Sequence, residues 1–206
     1  MKKIILLGLL MTVSIAQARV GSEGVGGGNT LGGKMVESYI DFPADFKEYE
    51  SEVQPVLELI KTKASPCVAK VIEDYIKNST WYFVPAEIKQ LTQEITGIPF
   101  SSSQTSVINI RAEEVWVDST SYNSLHTDTE RAKLLVHDSL EARLSIKIDP
   151  FDQNNTWIDV KSGDANARGL VALFFSKNFA TMSSDTIAKK INKFIPGLNE
   201  NAAICK

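Results

Sequence analysis

The chain has 206 residues, of which 43% are hydrophobic, and a formal net charge of −3. That length is sufficient for one hydrophobic core, so a single globular domain is expected. The excess of acidic residues argues against a nucleic-acid-binding protein, because nothing in the chain would neutralise a row of phosphates.

The first residues are typical of a secretory signal peptide. Two lysines precede an apolar run at residues 4–10, and residues 16–18 form the small-x-small cleavage site Ala-Gln-Ala. The apolar run is too short to span a membrane, and no other stretch of the chain is long enough. We expect cleavage after Ala18, which leaves a soluble mature chain of residues 19–206 in the periplasm or outside the cell.

A glycine-rich segment follows the signal peptide. Residues 21–35 hold seven of the twelve glycines of the chain. The run from Gly28 to Lys34 matches a phosphate-binding loop, but Met35 replaces the hydroxyl residue that would bind magnesium. We predict that residues 19–40 form a flexible segment and that a single domain occupies residues 41–206.

Two helices are predicted at the start of this domain. Hydrophobic residues recur at spacings of three and four from Val53 to Ile60 and form one apolar stripe. A second helix begins at Ser65 and Pro66, a cap residue followed by proline in the first turn, and ends near Asn78. We interpret the pair as an N-terminal helical hairpin. The second helix is expected to bury Val68, Val71, Ile72, Tyr75 and Ile76.

Short runs of aromatic and β-branched residues then replace the helical pattern. Three such runs, at residues 81–85, 106–110 and 115–119, each predict a strand. Two more runs with strand-like alternation lie at residues 144–149 and 156–161. We expect these strands to pair mostly in the antiparallel direction.

A central helix and two C-terminal helices complete the prediction. Residues 127–130 read Thr-Asp-Thr-Glu, a capping box that starts the central helix. The last two helices are predicted over residues 165–179 and 185–194, the latter after a cap at Ser183 or Ser184. Helices on both sides of a few short strands indicate an α+β domain.

The chain has two cysteines, Cys67 and Cys205. In the oxidising compartment to which the signal peptide directs the chain, two cysteines usually pair. We predict a disulfide that ties the C-terminal tail to the second helix, and two free thiols are the alternative. No histidine accompanies either cysteine in the sequence, so neither is predicted to be catalytic.

The central helix contains the clearest candidate for a chemical site. Residues 137–141 read His-Asp-Ser-Leu-Glu, close to the His-Glu-x-x-His pattern of zinc hydrolases. His137 and Glu141 are one turn apart and could bind one Zn²⁺, with Asp138 in the position of the general base. A further ligand would have to be a carboxylate from elsewhere, because eleven residues of helix, about 16 Å, would separate His126 from His137.

A structural interpretation accounts for the same residues. His137 borders the apolar face around Leu140, where a histidine often donates a hydrogen bond to a backbone carbonyl. Glu141 could pair with a basic neighbour at the surface, and Asp138 is expected on the exposed far side of the helix. We favour this interpretation, because a second histidine is missing and the carboxylate at position 138 is shorter than glutamate.

Residues 81–91, 115–125 and 131–149 resemble uncharacterised exported proteins of predatory Gram-negative bacteria. Those proteins also have a signal peptide, a glycine-rich mature N terminus and a central Leu-His-Glu-x-Leu helix. The chain matches that helix at His137 and Leu140 and has aspartate in place of the glutamate. The resemblance implies a shared fold and export, and the family has no assigned activity.

Two functions therefore remain open. The favoured one is a non-catalytic exported protein that binds an unknown protein or small-molecule partner and needs no cofactor. The alternative is a divergent metal-dependent hydrolase, in which His137 and Glu141 bind Zn²⁺ and Asp138 is catalytic. Neither function involves nucleic acid or a membrane-spanning segment of the mature chain.

Overall fold

The computed structural model describes residues 30–85, 105–148, 155–196 and 203–205. These residues combine helices with small sheets, so the predicted α+β class is confirmed. The predicted signal peptide, residues 1–18, lies outside them. None of the helices in the described ranges is long and apolar enough to cross a membrane.

Helices make up most of the described chain. A π-helical turn, Tyr49–Val53, leads into the first α-helix. The helices are α1 (Gln54–Lys63), α2 (Pro66–Asn78), α3 (Ser119–Asn123), α4 (Asp128–Ser145), α5 (Val160–Phe174) and α6 (Ser184–Ile191).

The strands form three small sheets. They are β1 (Thr30–Leu31), β2 (Lys34–Met35), β3 (Ile40–Asp41), β4 (Thr80–Val84), β5 (Ser106–Asn109), β6 (Glu114–Asp118), β7 (Ile146–Ile148) and β8 (Thr156–Ile158). The main sheet has the order β3-β4-β6-β5, and β1–β2 and β7–β8 are separate pairs. Strands β4 and β6 are parallel, whereas the other pairs are antiparallel. The prediction of mostly antiparallel pairing therefore holds for the described strands.

The main sheet buries one of its faces. Alternating residues of β4 and β6 point into the core, among them Trp81 and Val115, which are both fully buried. On the opposite face the rings of Tyr82 and Trp116 stack with their centroids 4.2 Å apart. The aromatic and β-branched residues from which β4 and β6 were predicted thus supply both faces of the sheet.

Helices α1 and α2 begin and end close to where the sequence places them. Ser65 caps α2, since its hydroxyl oxygen accepts a hydrogen bond from the backbone N–H of Val68. The helix ends at Asn78, and the five residues predicted to be buried on α2 are all buried. The two helices are separated by only two residues and pack on each other.

The segment that we expected to be flexible is ordered in its described part. Residues 30–40 contain the β1–β2 hairpin and the start of β3, where Ile40 pairs with Tyr82 of β4. Gly32 and Gly33 adopt φ angles of +56° and +78° in the hairpin turn, a region that glycine enters without strain. Two of the glycines that indicated flexibility therefore serve a turn, and the ordered domain begins before Asp41. Residues 19–29 lie outside the description.

The two C-terminal helices differ in extent from the prediction. Helix α5 begins at Val160 rather than at residue 165, because the side chain of Asp159 caps it by accepting from the N–H of Ser162 at 3.1 Å. It ends at Phe174, and residues 179–181 form a separate 3₁₀ turn. The predicted cap of α6 is confirmed as Ser183.

The predicted disulfide is present in the structure. Cys67, in the first turn of α2, is bonded to Cys205 in the C-terminal 3₁₀ turn, with the two Cα atoms 5.7 Å apart. The C-terminal turn also packs its buried Ile204 against the hydrophobic core. The tail is thereby held on α2.

Candidate functional site

The candidate site lies on α4, which begins at a capped N terminus. The hydroxyl of Thr127 accepts a hydrogen bond from the N–H of Glu130 at 3.2 Å. The second half of the predicted capping box is not formed, because the carboxylate of Glu130 instead accepts from Lys133 at 2.6 Å. The cap determines where the helix starts. The start of the helix in turn determines the direction in which the side chains of residues 137–141 point.

Asp138 is buried, with only 1% of its surface exposed, which corrects the expectation that it faces solvent. The helical projection assumed one apolar face around Leu140. Leu135 and Ser139 are fully buried as well. The reason is that α2, α5 and the π-helical turn all pack against α4. A helix covered from several sides has no far side that faces water.

His137, Asp138 and Glu141 form a compact cluster. Nδ1 of His137 lies 3.1 Å from Oδ1 of Asp138 and 3.6 Å from Oε2 of Glu141. One nitrogen or oxygen atom of each residue can be chosen so that all three atoms lie within 4.8 Å of one another. The exposed fractions of the side chains are 19%, 2% and 17% in the same order. The structure therefore brings together all three residues that the sequence singled out.

A fourth residue, Asp164, comes from helix α5. Its Oδ1 lies 3.2 Å from Nε2 of His137, on the other side of the imidazole ring. Nε of Arg168 donates to both oxygens of Asp164, at 2.8 and 2.9 Å. Sequence reasoning missed Asp164, although its spacing of four from Arg168 predicts an ion pair on a helix. The link to His137 depends on how α4 and α5 pack, which one sequence does not reveal.

The expected surface partner of Glu141 is not observed. Lys133 pairs with Glu130, and the carboxylate of Glu141 turns towards His137. This inward orientation places a second carboxylate beside the imidazole.

The charges of the cluster are strongly coupled. Burial lowers the pKa of His137, but the close contacts with Asp138 and Asp164 and the nearby carboxylate charges outweigh burial and raise the pKa to about 10. Burial, followed by the charge of Asp138, raises the pKa of Glu141 to about 7. Burial alone would raise the pKa of Asp164, but contacts with His137 and Arg168 hold it below its ordinary value. Three acidic side chains thus lie around His137 and Arg168, and the ionisation of each depends on that of its neighbours.

Two atoms of the cluster are buried without a hydrogen bond to the described residues. They are Oδ2 of Asp138 and Nε2 of His137. Nε2 lies within ion-pair distance of Oδ1 of Asp164, but the geometry of this contact is not that of a hydrogen bond. Unsatisfied buried polar atoms are rare in folded proteins, and a missing ion is one of their ordinary explanations.

Comparison of the chain with protein-family models, with curated proteins and with solved structures finds no match. The resemblance to exported proteins of predatory bacteria therefore stays a prediction. The function has to be inferred from the geometry of the chain itself.

A second feature of the described chain is an open cavity of about 380 Å³ beside the main sheet. Its wall includes the aromatic rings of Phe46, Phe83 and Tyr122, which contact one another. The hydroxyl of Tyr122 donates to the buried carboxylate of Glu48. The rest of its lining is polar or charged, from Asp41, Lys47, Ser119 and Asn123.

Proposed function

We propose that the chain is an exported, non-catalytic binding protein. The observation that carries this proposal is the burial of Asp138, the general base of the hydrolase alternative. Only 2% of its side chain is exposed. A general base must come within hydrogen-bond reach of the proton that it removes, and a substrate in solvent does not reach Asp138.

The surroundings of His137 support the same proposal. Carboxylates lie on both sides of its ring, from Asp138 and Glu141 at Nδ1 and from Asp164 at Nε2. In the metal-free protein these contacts occupy both imidazole nitrogens, so neither nitrogen faces a substrate in solvent. The open cavity beside the main sheet, lined by both aromatic and charged side chains, offers the protein a place for a small partner.

Export is the second part of the proposal, and the disulfide supports it. Disulfides persist outside the cytoplasm, and Cys67 and Cys205 are bonded. When the full chain is expressed in a Gram-negative host, we expect it in the periplasm or the medium with Arg19 as its first residue. N-terminal sequencing of the fractionated protein checks this. A chain that stays in the cytoplasm with Met1 in place contradicts it.

The absence of catalysis is tested with the purified chain, with and without added Zn²⁺. Peptide, ester and phosphodiester substrates are incubated with the wild type and with Asp138→Asn. We expect the two proteins to give the same background turnover. Hydrolysis that the wild type performs and Asp138→Asn lacks establishes the hydrolase alternative instead.

A further inference from the structure

We infer that His137, Asp138 and Glu141 bind one divalent first-row metal ion, with Nδ1 of His137 and one carboxylate oxygen of each acidic residue as ligands. This inference rests on the proposed function, since it names a partner of a protein that binds rather than catalyses. The ion lies at the interface of α4 and α5. Zn²⁺ is the ion that we assign first.

The distances within the cluster fit a shared ion. Two ligand atoms that each lie about 2.1 Å from a tetrahedral ion are about 3.4 Å apart. The distances from Nδ1 of His137 are 3.1 Å to Asp138 and 3.6 Å to Glu141. The 3.1 Å contact is made by Oδ1 of Asp138, and ligand atoms taken one from each residue lie within 4.8 Å of one another, so side-chain rotation is needed to bring all three to one ion.

The unpartnered oxygen of Asp138 is an independent observation that points to a ligand. Its carboxylate is almost completely buried, and Oδ2 has no hydrogen bond to the described residues. A buried carboxylate oxygen without a partner is costly, and binding to a cation removes that cost. Binding of the ion through Oδ2 gives this atom a partner, whereas the contact of Oδ1 with His137 alone leaves it without one.

The other side of the imidazole has the arrangement expected around a metal-bound histidine. A histidine that binds a metal through one nitrogen usually donates its other N–H to a carboxylate, which fixes the ring. Asp164 lies 3.2 Å from Nε2, and Arg168 holds both oxygens of Asp164. When Nδ1 binds the ion, the proton lies on Nε2, and a small ring rotation directs it at Asp164. Asp164 and Arg168 are thus positioning residues.

The donor set selects the class of metal. One imidazole nitrogen with two carboxylate oxygens suits zinc and its first-row neighbours. Calcium prefers six to eight oxygen ligands, which this cluster does not supply. Zinc is therefore expected to bind, and calcium at the same concentration is not expected to displace it.

The experiment titrates the chelator-stripped chain with Zn²⁺ by calorimetry and follows the melting temperature. We expect one ion per chain and a higher melting temperature, because a ligand that binds only the folded state stabilises it. Asp138→Asn and Glu141→Gln should each weaken binding by at least about tenfold. Glu141→Gln keeps the test decisive if Asp138→Asn fails to fold.

Glu130→Gln is the matched control, since it removes a more exposed glutamate from the same helix, away from the cluster. It should bind zinc like the wild type. Binding of Zn²⁺ that neither cluster variant weakens, or an equal response to Ca²⁺, overturns the assignment. So does the absence of binding, in which case the non-catalytic function still stands. Binding accompanied by zinc-dependent hydrolysis overturns the proposed function and leaves the metal site in place.

The imidazole reports which nitrogen binds. In a protein labelled with ¹⁵N at histidine, Zn²⁺ should shift the Nδ1 resonance of His137, while Nε2 keeps its proton. Asp164→Asn should weaken zinc binding by about 10- to 100-fold and also alter the Nε2 resonance of His137. A purely structural role of Asp164 would not predict both effects. Coordination through Nε2 contradicts the ligand set.

Discussion

A buried carboxylate destabilises a protein unless a cation or hydrogen-bond donors surround it. Asp138 meets one such group, the imidazole of His137 at 3.1 Å. In the absence of metal, the neighbouring carboxylates keep a proton on that imidazole, as the raised pKa of His137 indicates. The same residues thus form an ion pair without metal and a ligand set with it.

Replacement of Asp138 by alanine should lower the free energy of unfolding of the metal-free protein by about 1–3 kcal/mol. The reason is that the substitution removes a partner of His137 inside the core. Urea unfolding in the presence of a chelator measures the change. Asp74→Ala, an exposed aspartate on α2, serves as a control and should stay within about 0.5 kcal/mol of the wild type. Equally small changes for both variants would indicate that Asp138 is exposed.

Tyr75 gives the protein a predicted sensitivity to alkaline pH. Burial raises its pKa above the ordinary value of 10.0. Above that value the tyrosine ionises in the unfolded chain while it stays neutral in the folded one. Stability is therefore complete below about pH 10 and falls above it, by up to about 1.4 kcal/mol per pH unit.

Unfolding of the wild type and of Tyr75→Phe between about pH 9 and 11 checks this prediction. The variant lacks the ionising group, so its stability should fall less steeply as the pH rises. Parallel curves for the two proteins would show that Tyr75 titrates alike in the folded and unfolded chains.

At the scale of the elements, the contact between α4 and α5 positions the site. Gly163 in the first turn of α5 sits against the C-terminal end of α4. A Cβ atom added there would lie 2.8 Å from the backbone nitrogen of Ser145 and 2.9 Å from its Cα. The close approach of the two backbones brings Asp164, the next residue, towards His137.

Gly163→Ala should therefore push α5 away from α4 and destabilise the protein by about 1–3 kcal/mol. This exceeds the gain of about 1 kcal/mol that alanine gives over glycine in a helix. Gly169→Ala, also on α5, is the comparison, because the three atoms nearest to its Cβ would all belong to the ring of Phe194, a side chain that can move. Thermal melting ranks the two variants. A Gly163→Ala protein as stable as Gly169→Ala would contradict the close contact.

The elements show which features the sequence can predict. Local signals placed the cap at Ser65 and the start of α4 and narrowed the cap of α6 to Ser183 or Ser184, because capping depends on neighbouring residues. The parallel pairing of β4 with β6 was not predicted, since strand alternation identifies a face but not a neighbour. The burial of Asp138 was not predicted either, because it depends on how many other elements pack against α4.

At the scale of the whole molecule, the disulfide connects positions that are 138 residues apart. Closing so long a loop restricts the unfolded chain and, in the chain-entropy model, stabilises the fold by up to about 5 kcal/mol. The double variant Cys67→Ala, Cys205→Ala should therefore unfold at markedly lower urea concentration. Thiol titration of the unfolded, unreduced wild type is the companion measurement. Two reactive thiols per chain would contradict the bridge.

The central claim is that α4 carries a metal ion at His137, Asp138 and Glu141, and a crystal grown with Zn²⁺ tests it most directly. Anomalous diffraction at the zinc edge locates the ion without reference to the protein atoms. We expect one strong peak about 2.0–2.2 Å from Nδ1 of His137 and from one oxygen of each carboxylate. A crystal in which the zinc peaks lie only at other residues, with His137 still paired to Asp138, would contradict it.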